Sequence, residues 1–185
     1  MSKTIVIYHS GYGHTRRLAG AVAEGAGAEL IEIDAEGNLD EASWEKLNAA
    51  DAIIFGSPTY MGNISWQFKK FADTSSKIWF RQGWKDKVFG GFTNSGSVNG
   101  DKQVTLIYLQ TLALQHGGLW VSLGIPPASM KANTRDDINY LGAFGGLFGR
   151  TPGDAGVDEM APGDLETAKL YGKRVSEIAG KLRSS

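Results

Sequence analysis

Ile5-Val6-Ile7-Tyr8-His9-Ser10-Gly11-Tyr12-Gly13-His14-Thr15 is the stretch on which the rest of the chain hangs. An apolar run breaks into a turn with two glycines and two hydroxyl residues, and a helix-patterned segment opens near Arg16. Strand, turn and helix in that order have the form of a phosphate cradle, because the first N–H groups of a helix are free and carry partial positive charge. Glycines let such a backbone turn sharply and approach a ligand closely. An ordinary strand-to-helix connection has a similar composition, so the turn alone leaves both readings open. Two narrower motifs are absent. No Lys-Ser/Thr pair follows, which excludes a nucleotide-hydrolysing P-loop, and Arg16 stands where the dinucleotide fingerprint needs its third glycine.

Downstream, strand and helix patterns alternate. Leu18, Ala21, Val22, Gly25 and Ala26 recur at helical spacing, and Glu29 to Asp34 alternates as a second strand. A short helix with Trp44 and Leu47 as inward anchors is expected between Asp40 and Ala50. Ala52-Ile53-Ile54-Phe55-Gly56 is continuously apolar, as a strand buried on both faces must be. Ile64, Phe68, Phe71 and Ala72 mark another helix, and Val88 to Phe92 a fourth strand. A helix to about Gln115, a fifth strand at Leu119–Leu123 and a last helix from about Leu165 to Leu182 complete the pattern. The expected architecture is α/β: a flavodoxin-like, doubly wound, five-stranded parallel sheet of order 2-1-3-4-5 with helices on both faces. One domain over residues 1–185 is expected, with an irregular Gly-rich segment at about 124–164 whose aromatics need something to pack against.

Composition removes several function classes. The chain has 19 basic and 20 acidic residues, a net charge of −1, and therefore no basic field for nucleic acid. With no cysteine there is no thiolate nucleophile or thiolate metal site, which also rules out a cysteine-dependent phosphatase. Any redox chemistry must then come from a bound cofactor. Three scattered histidines, His9, His14 and His116, do not suggest a metal cluster. No apolar run reaches the roughly 20 residues of a membrane span. Met1-Ser2-Lys3-Thr4 runs straight into the first strand without a leader pattern, so cytoplasmic residence is expected.

In a parallel sheet all strands end on one edge, and ligands bind there where the strand order reverses. Three strand-ending loops share the composition of the first: Ser10–Thr15, Ser57–Asn63 and Thr93–Gly100. Together, Tyr8-His9-Ser10-Gly11-Tyr12-Gly13-His14-Thr15, Phe55-Gly56-Ser57-Pro58-Thr59-Tyr60-Met61-Gly62-Asn63 and the third loop resemble the WrbA-type NAD(P)H:quinone oxidoreductases, FMN proteins of flavodoxin-like fold. The resemblance runs to about Gly124 and returns weakly in the final helix.

The resemblance implies FMN as cofactor, NAD(P)H as co-substrate and a quinone as acceptor. It places Ser10, Tyr12, Gly13, His14 and Thr15 around the FMN phosphate. Pro58, Thr59, Tyr60, Met61, Gly62 and Asn63 would line the flavin ring, and Thr93, Asn94, Ser95, Gly96 and Ser97 its ring and ribityl side. His116 would stand at the pyrimidine end, and Trp79 would wall the acceptor pocket. On residue type alone, His116 also reads as a charge-complementing helix C-terminal residue and Trp79 also as a packing residue. Arg16 and Arg17 read as a solvated helix face. A homo-oligomer is expected, dimer or tetramer, since the family builds each site from neighbouring subunits. The chain departs from the family in a short connection between its second and third strands, in residues 126–158, and in having Tyr60 and Met61 where Arg and Phe are commoner. The rival reading is an electron-carrier flavodoxin, which usually presents a strongly acidic docking face that near-neutral composition disfavours. A phosphorylation-receiving domain needs acidic residues where His9 and Ser10 stand.

Overall fold

A computed structural model describes residues 2–183. All strand pairs of the sheet are parallel, and the order is β2-β1-β3-β4-β5, with a sixth strand beside β4. The strands are β1 (Thr4–Tyr8), β2 (Glu29–Glu32), β3 (Ala52–Pro58), β4 (Val88–Ser95), β5 (Leu119–Trp120) and β6 (Leu147–Arg150). The helices are α1 (His14–Ala26), α2 (Glu41–Asn48), α3 (Trp66–Thr74), α4 (Ser76–Phe80), α5 (Lys102–Gln115) and α6 (Pro162–Arg183).

Every residue of β1 and β3 is buried, which explains their unbroken apolar runs. Side chains alternate between two cores. Val6, Tyr8 and Ile54 meet Leu18 and Val22 of α1 and Tyr171 and Val175 of α6. Ile5, Ile7, Ile53 and Phe55 meet Phe68 and Phe71 of α3, Trp84, and Leu109 of α5. The α1–α6 contact is close because Gly25 faces the backbone of Lys169 and Gly172 faces that of Val22, where any Cβ would collide.

The fifth position differs from expectation. Only Leu119 and Trp120 pair with β4, opposite Val88 and Phe89. The chain then leaves the sheet, and β6 takes over beside Phe92–Ser95. Gly124 in the left-handed region (φ 68°) and the Pro126-Pro127 pair turn the backbone away from the ladder. The segment expected to be irregular is so in part, but it also completes the sheet edge, and of its aromatics Phe148 packs into the core while Tyr140 and Phe144 stay exposed. Phe148 joins both cores, and the Trp120 indole donates to Gly145 O at 2.5 Å.

Candidate functional site

Because the strands run in parallel, β1, β3 and β4 deliver their following loops to the same rim. In the first loop Ser10 Oγ accepts from the N–H groups of Gly13 and Arg16, each at 3.1 Å, and so shapes the turn from inside. Gly13 enters α1 at φ 88°. The N–H groups of His14 and Thr15 meet no acceptor among the described residues, and no acidic residue occupies the first turn. They form a preset anion site.

The second loop is a tight reversal. Tyr60 and Asn63 exchange backbone bonds, while Met61 (φ 47°) and Gly62 (φ 80°) both take positive φ. This geometry leaves Met61 wholly exposed at the tip. Behind the loop, the Thr59 hydroxyl lies 2.8 Å from those of Thr93 and Thr105, tying the second loop to the third. Tyr60 meets Tyr12 edge to face at 6.2 Å, and burial raises its hydroxyl pKa, with a smaller contribution from Tyr12.

Between the loops lies a cleft of about 410 Å³. Tyr12, His14, Thr15, Pro58, Thr59, Tyr60, Asn94, Ser95 and Gly96 line it, so all three loops converge as expected. Ser10, Gly13, Thr93 and Ser97 do not line it; Ser10 shapes the first loop, and the Thr93 hydroxyl meets that of Thr59. Asn63 faces a neighbouring groove along α3. Thr151 and Gly153 also line the cleft, and sequence reasoning missed them. The Thr151 hydroxyl donates to Asn94 Oδ1 at 3.2 Å. His14 Nε2 lies 3.0 Å from Ala155 O, and a Cβ on Gly13 would come within 2.9 Å of Val157. The chain after β6 is thus a fourth wall, folded over the first loop. The only available signal was the unexplained length of the Gly-rich segment.

His116 and Trp79 are not in this cleft. Leu119 pairs with the first residue of β4, and Asp86 N donates to Gly117 O at 3.0 Å, so His116 lies at the rim where β4 begins. There it shares a second pocket of about 390 Å³ with Trp79, Phe80 and Lys85. The imidazole packs 4.5 Å from the Trp84 ring. Ser75 donates its hydroxyl proton to Ala72 O and therefore accepts from His116 Nε2–H at 2.9 Å, which fixes the tautomer. His116 Nδ1 is buried without a partner among the described residues, and desolvation takes the pKa down to about 4. Within one chain these two residues therefore lie apart from the cleft that the three loops form.

The site fits the phosphate of a mononucleotide: unclaimed main-chain donors, a glycine entry at φ 88° where a Cβ would crowd Val157, and hydroxyl groups lining the rest. Comparison with known proteins agrees. Residues 5–126 match the family described as NADPH-dependent FMN reductase. The chain belongs to this family of flavodoxin-like, FMN-dependent NAD(P)H oxidoreductases, in its WrbA-type group. Among its relatives it is 59% identical to flavodoxin FldP of Pseudomonas aeruginosa over 184 residues, covering 100% of both chains. It is 34% identical over 206 residues to an NAD(P)H dehydrogenase (quinone) of Archaeoglobus fulgidus, covering 98% of this chain and 100% of the other. A crystal structure described as a flavodoxin, WrbA-like protein from Agrobacterium tumefaciens matches with TM-score 0.82 and 57% identity, covering 98% of this chain and 99% of that one. Among the described residues no helix is long and apolar enough to cross a membrane.

Proposed function

We propose that the chain holds FMN in the three-loop cleft and oxidises NAD(P)H at the expense of a quinone. The observation that carries this reading is the convergence of Ser10–Thr15, Ser57–Asn63 and Thr93–Gly100 on one cleft, with free N–H groups at the start of α1. When bound, FMN supplies the two-electron chemistry that links nicotinamide oxidation to quinone reduction. The protein's part is placement. His14 and Thr15 N–H hold the phosphate, and Tyr12 and Tyr60 offer aromatic faces at the cleft mouth. Asn94, Ser95 and Gly96 border the ring and ribityl side. Among the described residues no carboxylate lines the cleft, so negative charge is not opposed there.

His116 and Trp79 enter this scheme only across an interface between copies, where the rim that carries them would face the cleft of a second chain. That keeps the homo-oligomer expectation and gives it a reason. Trp79→Ala should leave FMN affinity within about twofold and lower quinone turnover about tenfold. Loss of FMN binding in that variant would contradict the two-rim assignment.

The direct test is NADH or NADPH oxidation by purified protein with FMN and a benzoquinone. Acceptor-dependent oxidation is expected. The 59% identical relative's name, flavodoxin, favours a second reading, electron carriage without NAD(P)H turnover. FMN binding with no oxidation of either nucleotide would select it. A protein that takes up no FMN would exclude both.

A further inference from the structure

Lys102 is fully buried at the first position of α5, an unfavourable place for a cation on two counts. Burial removes its hydration, and the adjacent helix N-terminus carries positive partial charge. Among the described residues no carboxylate makes a hydrogen bond or ion pair with it. Its three ammonium protons go instead to Ser95 Oγ at 2.8 Å, Ser97 O at 2.8 Å and Val98 O at 2.9 Å. The Phe148 ring centroid lies 5.8 Å away. Two successive left-handed residues, Gly100 (φ 57°) and Asp101 (φ 55°), fold the chain back so that this side chain reaches beneath the loop that precedes it.

We infer that Lys102 is a positioning residue for flavin: its ammonium organises the third loop, and FMN retention depends on that ammonium keeping its proton. This rests on the FMN reading above. Ser95 and Gly96 line the cleft, and Lys102 holds their loop with three donors, beside Thr151 N, which donates to Ser95 O at 3.2 Å, and Arg150 Nε, which donates to Gly96 O at 3.3 Å. A neutral amine has only two N–H donors, so deprotonation gives up one of the three bonds to the loop and weakens the other two, which lose their charge assistance. The charged groups around it come from three further segments. Asp164 of α6 favours the charge, but its carboxylate is already held by Arg135 Nη2 at 2.6 Å and Arg150 N at 2.9 Å. Arg135, before β6, and Arg150, within it, oppose the charge. Desolvation, the largest influence, brings the Lys102 pKa down to about 8.

The test is FMN affinity by quenching of flavin fluorescence between pH 7 and pH 9, for the full chain and for Lys102→Met and Lys102→Arg. For the wild-type chain Kd should rise about tenfold, as the charged fraction falls from about nine-tenths to about one-tenth. Lys102→Met should bind roughly tenfold or more weakly at pH 7 and show no step, and Lys102→Arg should recover binding at pH 9. A wild-type Kd unchanged across that range overturns the inference without any variant. So does wild-type affinity in Lys102→Met. A second arm needs no FMN: elastase should cut the apo chain near exposed Val98 at least about fivefold faster in Lys102→Met. Equal cleavage overturns the positioning role, whereas failure of every chain to bind FMN overturns the FMN reading instead.

Discussion

Where its strands end, the sheet carries loops of Gly, Ser, Thr and Asn; where they begin, it carries Trp79, Phe80, Trp84 and His116. The first rim works through the main chain. Its donors are the N–H groups of a helix start, and its side chains mostly hold the loops in shape. The second rim works through bulk and desolvation, with an imidazole whose free nitrogen is sealed among aromatics. Small residues therefore give one rim free main-chain donors, while at the other a buried imidazole lies beside the exposed rings of Trp79 and Phe80. Substitutions at the two should fail in different ways.

The largest difference is expected at Gly13. A β-branched residue at φ 88° is strained, and its Cβ would crowd Val157. Gly13→Val should weaken FMN binding by roughly 100-fold or more, measured by flavin titration, with the acid sensitivity of the opposite rim unaffected. FMN binding unaltered by that change would deny the first loop its role.

Next comes acid sensitivity of the opposite rim. The His116 pKa of about 4 in the folded chain lies below that of an unfolded histidine, about 6.5, so the unfolded chain binds the proton first. The stability tied to the neutral ring is therefore complete above pH 6.5 and lost as pH falls toward 4, by roughly 3 kcal/mol. Burial moves His9 in the same direction. Thermal unfolding followed from pH 7 to 4 should show a shallower decline in His116→Gln; parallel curves would mean the ring is not the sensor.

Ser10→Ala removes the oxygen that two loop N–H groups share and should cost about tenfold in FMN affinity, about 1.4 kcal/mol. An unchanged titration would show that the loop keeps its shape unaided. The smallest effect is expected for Arg16→Gln. Arg16 lies in the first turn of α1, yet its guanidinium points to Glu32 at 2.7 Å and is well exposed. Both FMN affinity and melting temperature should barely move, and a tenfold loss would draw Arg16 into the phosphate site.

Much of this was legible because parallel α/β architecture follows local rules. The runs at Ile5–Tyr8 and Ala52–Phe55 had to be strands buried on both faces, and strands alternating with helices had to be parallel. Once parallel, the three loops had to share a rim. Other features depend on contacts far apart in the chain. Thr151 and Gly153 enter the cleft because β6 pairs with the far half of β4, more than fifty residues earlier. Lys102 reads as a surface lysine at a helix start until the Gly100-Asp101 reversal is seen to bury it.

From residue order alone came the layered architecture and the convergence of the loops, since periodicity and glycine placement act on near neighbours. Only the folded chain assigned His116 and Trp79 to the far rim, laid residues 151–157 over the phosphate turn and put an ammonium under the third loop. Which rim a side chain reaches, and whether it stays wet, is set by packing between distant segments, and no local pattern carries that energy.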